Sequence, residues 1–299
     1  MILNAKTTGL LALLGGVALF STVEVAAKII GPNALPFQMV FVRFFITGVI
    51  LLALSLPAFL KNGLDLKLPD FGLFALNGAV GVAVALSLFH LAILVFEKAA
   101  SCAVVFSANP IFVIILARFI NNEPWNVTKW AALSLGAAGV ALFAWESGAF
   151  TLQSLAALGI MTASAFFFAL SICISRRLVA RYGVFILMGF SALFGSLMIF
   201  PFALASTLRQ GAGGLGAAWL PLLYITLAGT TLAYGLYYYG LRHCTAFQAS
   251  MMFFLKPVLA SIFAAVILKE HINSFMAGGS LLIISGLAVT VGSYLKTRS

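Results

Sequence analysis

Residues 109–143 read NPIFVIILARFINNEPWNVTKWAALSLGAAGVALF. This stretch joins two apolar segments, at 101–118 and 127–145, through the polar connection NNEPWN at 121–126. Each segment is close to the roughly 20 residues with which an α-helix crosses the hydrocarbon core of a bilayer. Asn and Pro in the connection favour a turn over continued helix. The stretch therefore predicts two transmembrane helices joined by a short loop.

The same alternation of apolar segments and short polar connections continues along the whole chain. Of its 299 residues, 63% are hydrophobic and 8% are charged, whereas a soluble domain has about 25% charged residues. We predict an all-α, polytopic membrane protein with ten transmembrane helices and loops too short for an extramembrane domain. The ten segments lie at 8–30, 36–60, 70–96, 101–118, 127–145, 154–175, 184–206, 217–241, 246–268 and 275–295.

The positions of Lys and Arg predict the orientation, because these residues concentrate in cytoplasmic loops. Of the 17 Lys and Arg residues, Arg43 and Lys256 lie inside apolar segments. One side of the membrane receives Lys28, Lys98, Arg209 and Lys269. The other side receives the remaining 11. An even number of segments puts both termini on that richer side, so we predict that both termini are cytoplasmic.

Composition and motifs argue against several function classes. The net charge of +10 is explained by this orientation signal, so we expect no nucleic-acid partner. The sequence contains no GxxxxGK[ST], HExxH or GxSxG motif, and we predict neither enzymatic activity nor a cofactor nor a bound metal. Cys102, Cys173 and Cys244 show no paired spacing and are interpreted as small packing residues.

A shift of 147 residues superimposes the two halves of the chain without a gap. It places Pro110 on Pro257 and Glu123 on Glu270, with a Pro-to-Glu spacing of 13 residues in both halves. Each half holds five predicted helices, an odd number, so the halves enter the membrane in opposite directions. Such inverted repeats are typical of secondary transporters with a site near the bilayer midplane. The two predicted five-helix repeats span 1–147 and 148–299.

The repeated regions resemble a known family. The stretches 109–143 and 256–291 are similar to the two signature regions of the EamA family of the drug/metabolite transporter superfamily, in which a Pro-containing helix runs to a Glu and a Gly-rich helix follows. FVRFFITGVILL at 41–52 resembles the arginine motif in the second helix of that family. The Gly usual before the Glu is Asn122 in the first half and Lys269 in the second.

This resemblance implies a ten-helix carrier of the bacterial inner membrane, often an exporter of amino acids or related metabolites. Among the branches of the family, the chain resembles the YddG-type amino-acid exporters. The resemblance rests on Arg43, Pro110, Glu123, Pro257 and Glu270.

Lys256 lies near the middle of the ninth segment, where a charge costs about 2.5–3.5 kcal/mol on insertion scales and must face protein or water. It is interpreted either as a ligand for a substrate carboxylate or phosphate, or as a partner for backbone carbonyls that Pro257 leaves without a helical donor. Its repeat mate Asn109 precedes Pro110 in the same way. Both prolines predict helix kinks, and the family resemblance implies that these helices line the central pathway.

Glu24, Arg43 and His90 are predicted at a similar depth, nearer the outer face. Glu24 could be neutralised by Arg43, or by Lys28 at the i,i+4 spacing. The alternative is proton coupling or an outer gate, with Glu24 or His90 as the exchanging group, because imidazole exchanges protons near neutral pH. His90 is also interpreted as a packing histidine with satisfied hydrogen bonds.

The eighth segment carries tyrosines, of which Tyr234 and Tyr238 share one helix face. They are interpreted as aromatic-belt residues or, alternatively, as a cavity wall that stacks on substrate side chains. Glu123 and Glu270 close the fourth and ninth segments and are interpreted as caps of the next helix.

Together these features predict a secondary carrier for small zwitterionic or apolar solutes, first of all amino acids, with two halves rocking about a central cavity. Its partners are then a small-molecule substrate and the lipid bilayer, and the protein is a monomer or a homodimer. A sugar-phosphate or nucleotide-sugar exchanger ranks second, because phosphates favour clustered Arg and Lys. A non-transporting membrane scaffold is the third alternative.

Overall fold

The computed structural model describes residues 5–33, 35–62, 66–95, 99–147, 155–210, 216, 218–267 and 274–296. Every regular element in these ranges is helical, which confirms the predicted all-α class. The α-helices are α1 (Ala5–Phe20), α2 (Val23–Ile30), α3 (Pro36–Asn62), α4 (Leu68–Gly78), α5 (Ser87–Val95), α6 (Ala99–Phe106), α7 (Asn109–Ile120), α8 (Val127–Ser147), α9 (Leu155–Tyr182), α10 (Val184–Gln210), α11 (Trp219–Thr226), α12 (Ala233–His243), α13 (Ala246–Met251), α14 (Leu255–Ile267) and α15 (Ser274–Lys296).

Eight helical stretches in the described part of the chain are long and apolar enough to cross a membrane. They are Ala5–Ala27, Pro36–Pro57, Leu68–Val95, Cys102–Ile120, Val127–Trp145, Leu155–Tyr182, Val184–Arg209 and Trp219–His243. Two shorter apolar helices, Ala246–Leu259 and Ala277–Gly292, stand where the ninth and tenth segments are predicted. Residues 268–273 between them lie outside the described residues. The chain is an integral membrane protein, and the count of ten helices stays a prediction.

Several of these stretches are interrupted inside the bundle. A turn at Ser21–Thr22 separates α1 from α2, and another at Ser107–Ala108 separates α6 from α7. A 3₁₀ turn, Met252–Phe254, precedes α14. Two π-helical segments, Ala79–Leu86 and Leu227–Leu232, continue α4 into α5 and α11 into α12. Such π segments occur frequently at functional sites.

The helices pack in pairs that bring distant parts of the sequence together. The most extensive contacts join α3 to α10, α8 to α15 and α1 to α12. Helix α9 packs along α5 and the π segment Ala79–Leu86. Glycines allow some of the closest approaches: a Cβ atom on Gly78 would lie 2.3 Å from the carbonyl oxygen of Ser191. Small residues at crossings are the usual route to close packing of membrane helices.

Glu123 caps a helix, but not the one that follows it in the chain. Its Oε1 accepts from the backbone N–H of Ala246 at 2.6 Å, and Oε2 accepts from Nζ of Lys129 at 3.2 Å. The carboxylate thus lies at the start of α13, where the helix dipole favours negative charge. The expectation that it caps the next helix is corrected, because the turn after α7 places Glu123 against the second half of the chain. Glu270 lies outside the described residues.

Candidate functional site

Lys256 and Glu24 form an ion pair inside the helix bundle. Glu24 lies in the first turn of α2, and Lys256 is the second residue of α14. Nζ of Lys256 donates to Oε1 of Glu24, and both residues are 2% exposed. The second carboxylate oxygen of Glu24, Oε2, is buried without a hydrogen-bond partner. The pair therefore neutralises its charges but leaves one strong acceptor unused.

This pairing corrects the sequence-based expectation for Glu24, which named Arg43 or Lys28 as its partner. Lys256 stands 232 residues away in the chain, so no local spacing indicates the contact. Arg43 instead takes two other partners. The side chain of Lys28 lies outside the described residues.

Aromatic rings enclose the ammonium group of Lys256. Nζ lies 5.0 Å from the ring centroid of Phe106 and 5.6 Å from that of Phe89. Both distances are within the roughly 6 Å over which a cation is attracted to an aromatic face. The two rings and the carboxylate of Glu24 together replace the water molecules that would solvate an exposed lysine ammonium.

Arg43 and His90 form a second buried group beside the ion pair. Nε of Arg43 donates to Oγ1 of Thr230 at 2.9 Å, and its NH1 lies 2.5 Å from Nε2 of His90. Because a guanidinium can only donate, Nε2 of His90 accepts and the imidazole is neutral in this arrangement. Thr230 belongs to the π segment Leu227–Leu232 and donates in turn to the carbonyl of Ile225. The hydrogen bond to Thr230 thus links Arg43 to the π-helical part of the stretch Trp219–His243.

A small cavity of about 30 Å³ lies between these two groups. Lys256, Arg43 and Tyr234 contribute to its wall together with Val23 and Leu86. The rest of the wall is formed by Phe20, Phe89, Phe106, Phe168 and Phe253. This volume holds about two water molecules, because one water needs at least 10–15 Å³. We call it the central cavity; it combines two cations with a mostly aromatic wall.

Asn109 and the two prolines stand at the helix breaks beside the central cavity. Pro110 and Pro257 lie in the first turns of α7 and α14, where a missing backbone N–H costs nothing. Asn109 is fully buried, its Nδ2 donates to the carbonyl of Phe106 at 3.1 Å, and its Oδ1 has no hydrogen-bond partner. Asn109 therefore supports the broken helix from outside the cavity wall.

Tyr234 and Tyr238 of α12 stack on each other, as expected for residues on one helix face, but their hydroxyl surroundings differ. Tyr234 lines the central cavity, and its ring centroid is 4.8 Å from that of Phe20. Tyr238 is also buried, and its hydroxyl lies 2.9 Å from Oγ of Ser175. Tyr239 is 41% exposed. Tyr234 thus forms cavity wall and Tyr238 forms part of a polar core, while the outward position of a belt residue is taken by Tyr239.

Sequence reasoning missed the polar core to which Tyr238 belongs. Asn77 accepts from Ser175 at 3.1 Å and from Ser171 at 3.2 Å, and its Nδ2 donates to Ser191 at 3.0 Å. A single Asn inside the apolar segment 70–96 was the available signal, since a buried amide requires partners. The core joins four helices, α4, α9, α10 and α12, and Asn77 lies just before the π segment Ala79–Leu86.

A larger groove of about 600 Å³ lies on the outside of the bundle, between α3, α10 and α12. Exposed Leu54, Leu232 and Tyr239 line it, and Arg242 is the one charged residue among its described lining. The lining of the groove is mainly apolar, and its Ser55, Tyr182 and Thr231 already form hydrogen bonds within the protein, which leaves few polar groups for a solute. The smaller central cavity is the better candidate site.

A bundle of membrane-length helices around an internal cavity with ionisable walls has the architecture of a membrane transporter, because charges inside the membrane mark solute pathways. The family agrees with this class. The profile of the EamA-like transporter family matches residues 7–145 and again residues 155–292. The chain belongs to the EamA-like transporter family.

Individual relatives resemble the chain at low sequence identity. An uncharacterized transporter of Clostridium kluyveri is 26% identical over 285 residues, covering 93% of this chain and 91% of the relative. A probable amino-acid metabolite efflux pump of Salmonella typhimurium is 27% identical over 210 residues, covering 66% of this chain and 69% of the pump. A protein of known crystal structure aligns with a TM-score of 0.76 at 19% identity, covering 98% of this chain and 99% of that one. That last likeness concerns the fold alone.

Proposed function

We propose that the protein is a secondary carrier that exports amino acids or closely related metabolites through the central cavity. The observation that carries this proposal is the wall of that cavity, where Lys256 and Arg43 stand among aromatic rings. A cation suits the carboxylate that all free amino acids share. The aromatic wall suits an apolar side chain. The name of the Salmonella relative supports the same substrate class.

A phosphate-bearing substrate is the main rival, and the structure bears on it in two ways. Lys256 and Arg43 both line the cavity. The ninth segment of the sequence indicated one cation, Lys256, so the cavity carries more positive charge than expected. Glu24, however, forms a salt bridge with Lys256, so among the charges described at the cavity only that of Arg43 has no salt-bridge partner. A single uncompensated charge favours one carboxylate over a dianionic phosphate, which recruits several cations.

The proposed architecture is two inverted repeats of five helices, 1–147 and 148–299, with both termini in the cytoplasm and the protein in the bacterial inner membrane. The family profile matches once on each side of that boundary. The helix pairing also supports this architecture. Helix α1 packs on α12, and α9 packs on α5 and on the π segment Ala79–Leu86. The first contact joins the first and eighth helical stretches, and the second joins the sixth and third. A shift by five helices converts one pair into the other, as expected if the two halves are repeats of one unit.

The two π segments also occupy matching positions in the two halves. A shift of 147 residues moves Ala79–Leu86 onto residues 226–233, which contain the second π segment, Leu227–Leu232. Substrate passage would require the surrounding helices to separate, because the central cavity holds about two waters. Irregular helical segments at matching places in both halves offer sites for such bending.

Counterflow in proteoliposomes tests the proposal. Purified protein is reconstituted with unlabelled L-phenylalanine inside, and labelled L-phenylalanine is supplied outside. We expect saturable accumulation of label, absent from protein-free vesicles and suppressed by other apolar amino acids but not by glucose 6-phosphate. Exchange of the sugar phosphate without exchange of amino acids would assign the protein to the rival class. Exchange of neither, across the common amino acids, would support the scaffold.

A further inference from the structure

We propose that Glu24 binds the ammonium group of the substrate while Lys256 binds its carboxylate, so that a zwitterionic solute opens the ion pair seen in the structure. This inference rests on the proposed function and narrows its substrate class to free amino acids that carry both charges. It gives Glu24 a role in specificity beyond neutralising a buried lysine.

The first argument is charge balance. In the structure Glu24 and Lys256 satisfy each other with one salt bridge. A zwitterion inserted between them contributes one charge of each sign, so the carboxylate of Glu24 meets an ammonium and the ammonium of Lys256 meets a carboxylate. One ionic contact becomes two without a change in net charge. A solute with only one charge would leave one of the two protein groups buried and unpaired, which is strongly unfavourable.

The second argument is the unused oxygen of Glu24. Oε2 is buried and has no hydrogen-bond partner, while Oε1 accepts from Lys256. A substrate ammonium has three N–H donors and can use both carboxylate oxygens of Glu24. A buried acceptor without a partner costs free energy in the unloaded protein, and a donor on the substrate would remove that cost.

The third argument is position. Lys256 lines the central cavity, and so does Val23, the residue before Glu24 in the chain. The ion pair therefore adjoins that space through Lys256. Glu24 follows directly on the helix break at Ser21–Thr22, and Lys256 follows on the 3₁₀ turn Met252–Phe254. Both members of the pair therefore lie in the first turn of a helix that begins at a break. Arg43, on the same wall, is placed to share the substrate carboxylate with Lys256.

The test compares three competitors of labelled L-phenylalanine in the counterflow assay. These are unlabelled L-phenylalanine, N-acetyl-L-phenylalanine, which lacks the ammonium, and phenethylamine, which lacks the carboxylate. In the unmutated protein we expect the zwitterion to compete about ten- to a hundredfold better than either analogue, the effect of one charge-assisted hydrogen bond. In Glu24→Gln the advantage over N-acetyl-L-phenylalanine should collapse to within about threefold, and Glu24→Asp should retain it.

The control is Asp70→Asn, which removes a buried carboxylate that contacts Tyr182 and Arg181 away from the cavity. This variant should keep the preference of the unmutated protein. If Glu24→Gln does not fold, Glu24→Gln/Lys256→Met removes both charges together and should bind all three competitors within about threefold of one another.

Each result decides a different point. Absence of any amino-acid exchange by the unmutated protein contradicts the proposed function itself. Exchange of L-phenylalanine that N-acetyl-L-phenylalanine inhibits equally well shows that the ammonium is not recognised and overturns the inference alone. An undiminished preference for the zwitterion in Glu24→Gln, or in the double variant, overturns it as well.

Discussion

At the scale of single residues, the buried charges around the central cavity form two neighbouring groups. Lys256 is paired with Glu24, whereas Arg43 donates to the neutral acceptors Thr230 and His90. A buried ion pair contributes little net stability, because desolvation offsets the attraction between the charges. Loss of one partner is costly by contrast, since the other charge then remains buried and alone.

This asymmetry gives a prediction for stability. Lys256→Met should lower the free energy of unfolding by about 3–5 kcal/mol, because Glu24 is then a buried, unpaired carboxylate. Adding Glu24→Gln should restore most of that loss, so that the double variant is more stable than Lys256→Met. Thermal unfolding of the purified variants in detergent measures both steps. A double variant whose loss equals the sum of the two single losses would show that the groups do not interact.

The sequence was sufficient to indicate that Glu24, Arg43 and Lys256 face inward, because a charge inside an apolar segment has no favourable place in lipid. The choice of partner was not available from it. The Glu24–Lys256 contact joins residues 232 positions apart, and Asn77 meets serines of two other helices. Such contacts depend on how helices rotate and pack, which a single sequence does not encode in any local spacing.

At the scale of elements, the interruptions of the helices are concentrated around the central cavity. Val23 and Lys256 line it next to breaks, and Leu86 is the last residue of the first π segment. Hydropathy predicted the positions of the helices well, since every apolar segment that is described contains helix. It did not predict the π segments or the break at Ser21–Thr22, because each lies inside an otherwise apolar segment and none contains a proline.

Close helix packing at the first π segment gives a prediction for Gly78. A Cβ atom at this position would lie 2.3 Å from the carbonyl oxygen of Ser191 and 2.8 Å from the backbone nitrogen of Gly195. Backbone atoms cannot yield as a flexible side chain can, so Gly78→Ala should lower the free energy of unfolding by about 1–3 kcal/mol.

Gly72→Ala is the matched control, since it lies in the same helix, α4, with nothing within 4 Å of a new Cβ. That substitution should be neutral or stabilising by up to about 1 kcal/mol, because Ala favours helix over Gly. Thermal unfolding midpoints of both variants in detergent provide the comparison. Equal midpoints would mean that α4 and α10 do not approach each other as closely as the structure has them.

At the scale of the whole molecule, the proposed transport requires enlargement of a small cavity whose wall contains two cations and several aromatic rings. A space of about 30 Å³ cannot admit a solute larger than water, so the proposed carrier must separate the helices that form its wall. The sequence predicted a central site between two halves. It could not predict the size of that site, which depends on the packing of side chains from both halves.

Thiol labelling of Val23→Cys tests the central claim most directly, because Val23 lines the cavity and its replacement keeps the ion pair intact. The variant is made in a chain with Cys102, Cys173 and Cys244 replaced by Ala, reconstituted, and exposed to a membrane-impermeant methanethiosulfonate reagent. The control Val17→Cys is also buried but lies outside the cavity wall. We expect Val23→Cys to be labelled, saturating L-phenylalanine to slow that labelling severalfold, and Val17→Cys to stay unlabelled. Labelling of Val23→Cys that is absent under all conditions, or that L-phenylalanine leaves unchanged, would contradict a substrate pathway through the central cavity.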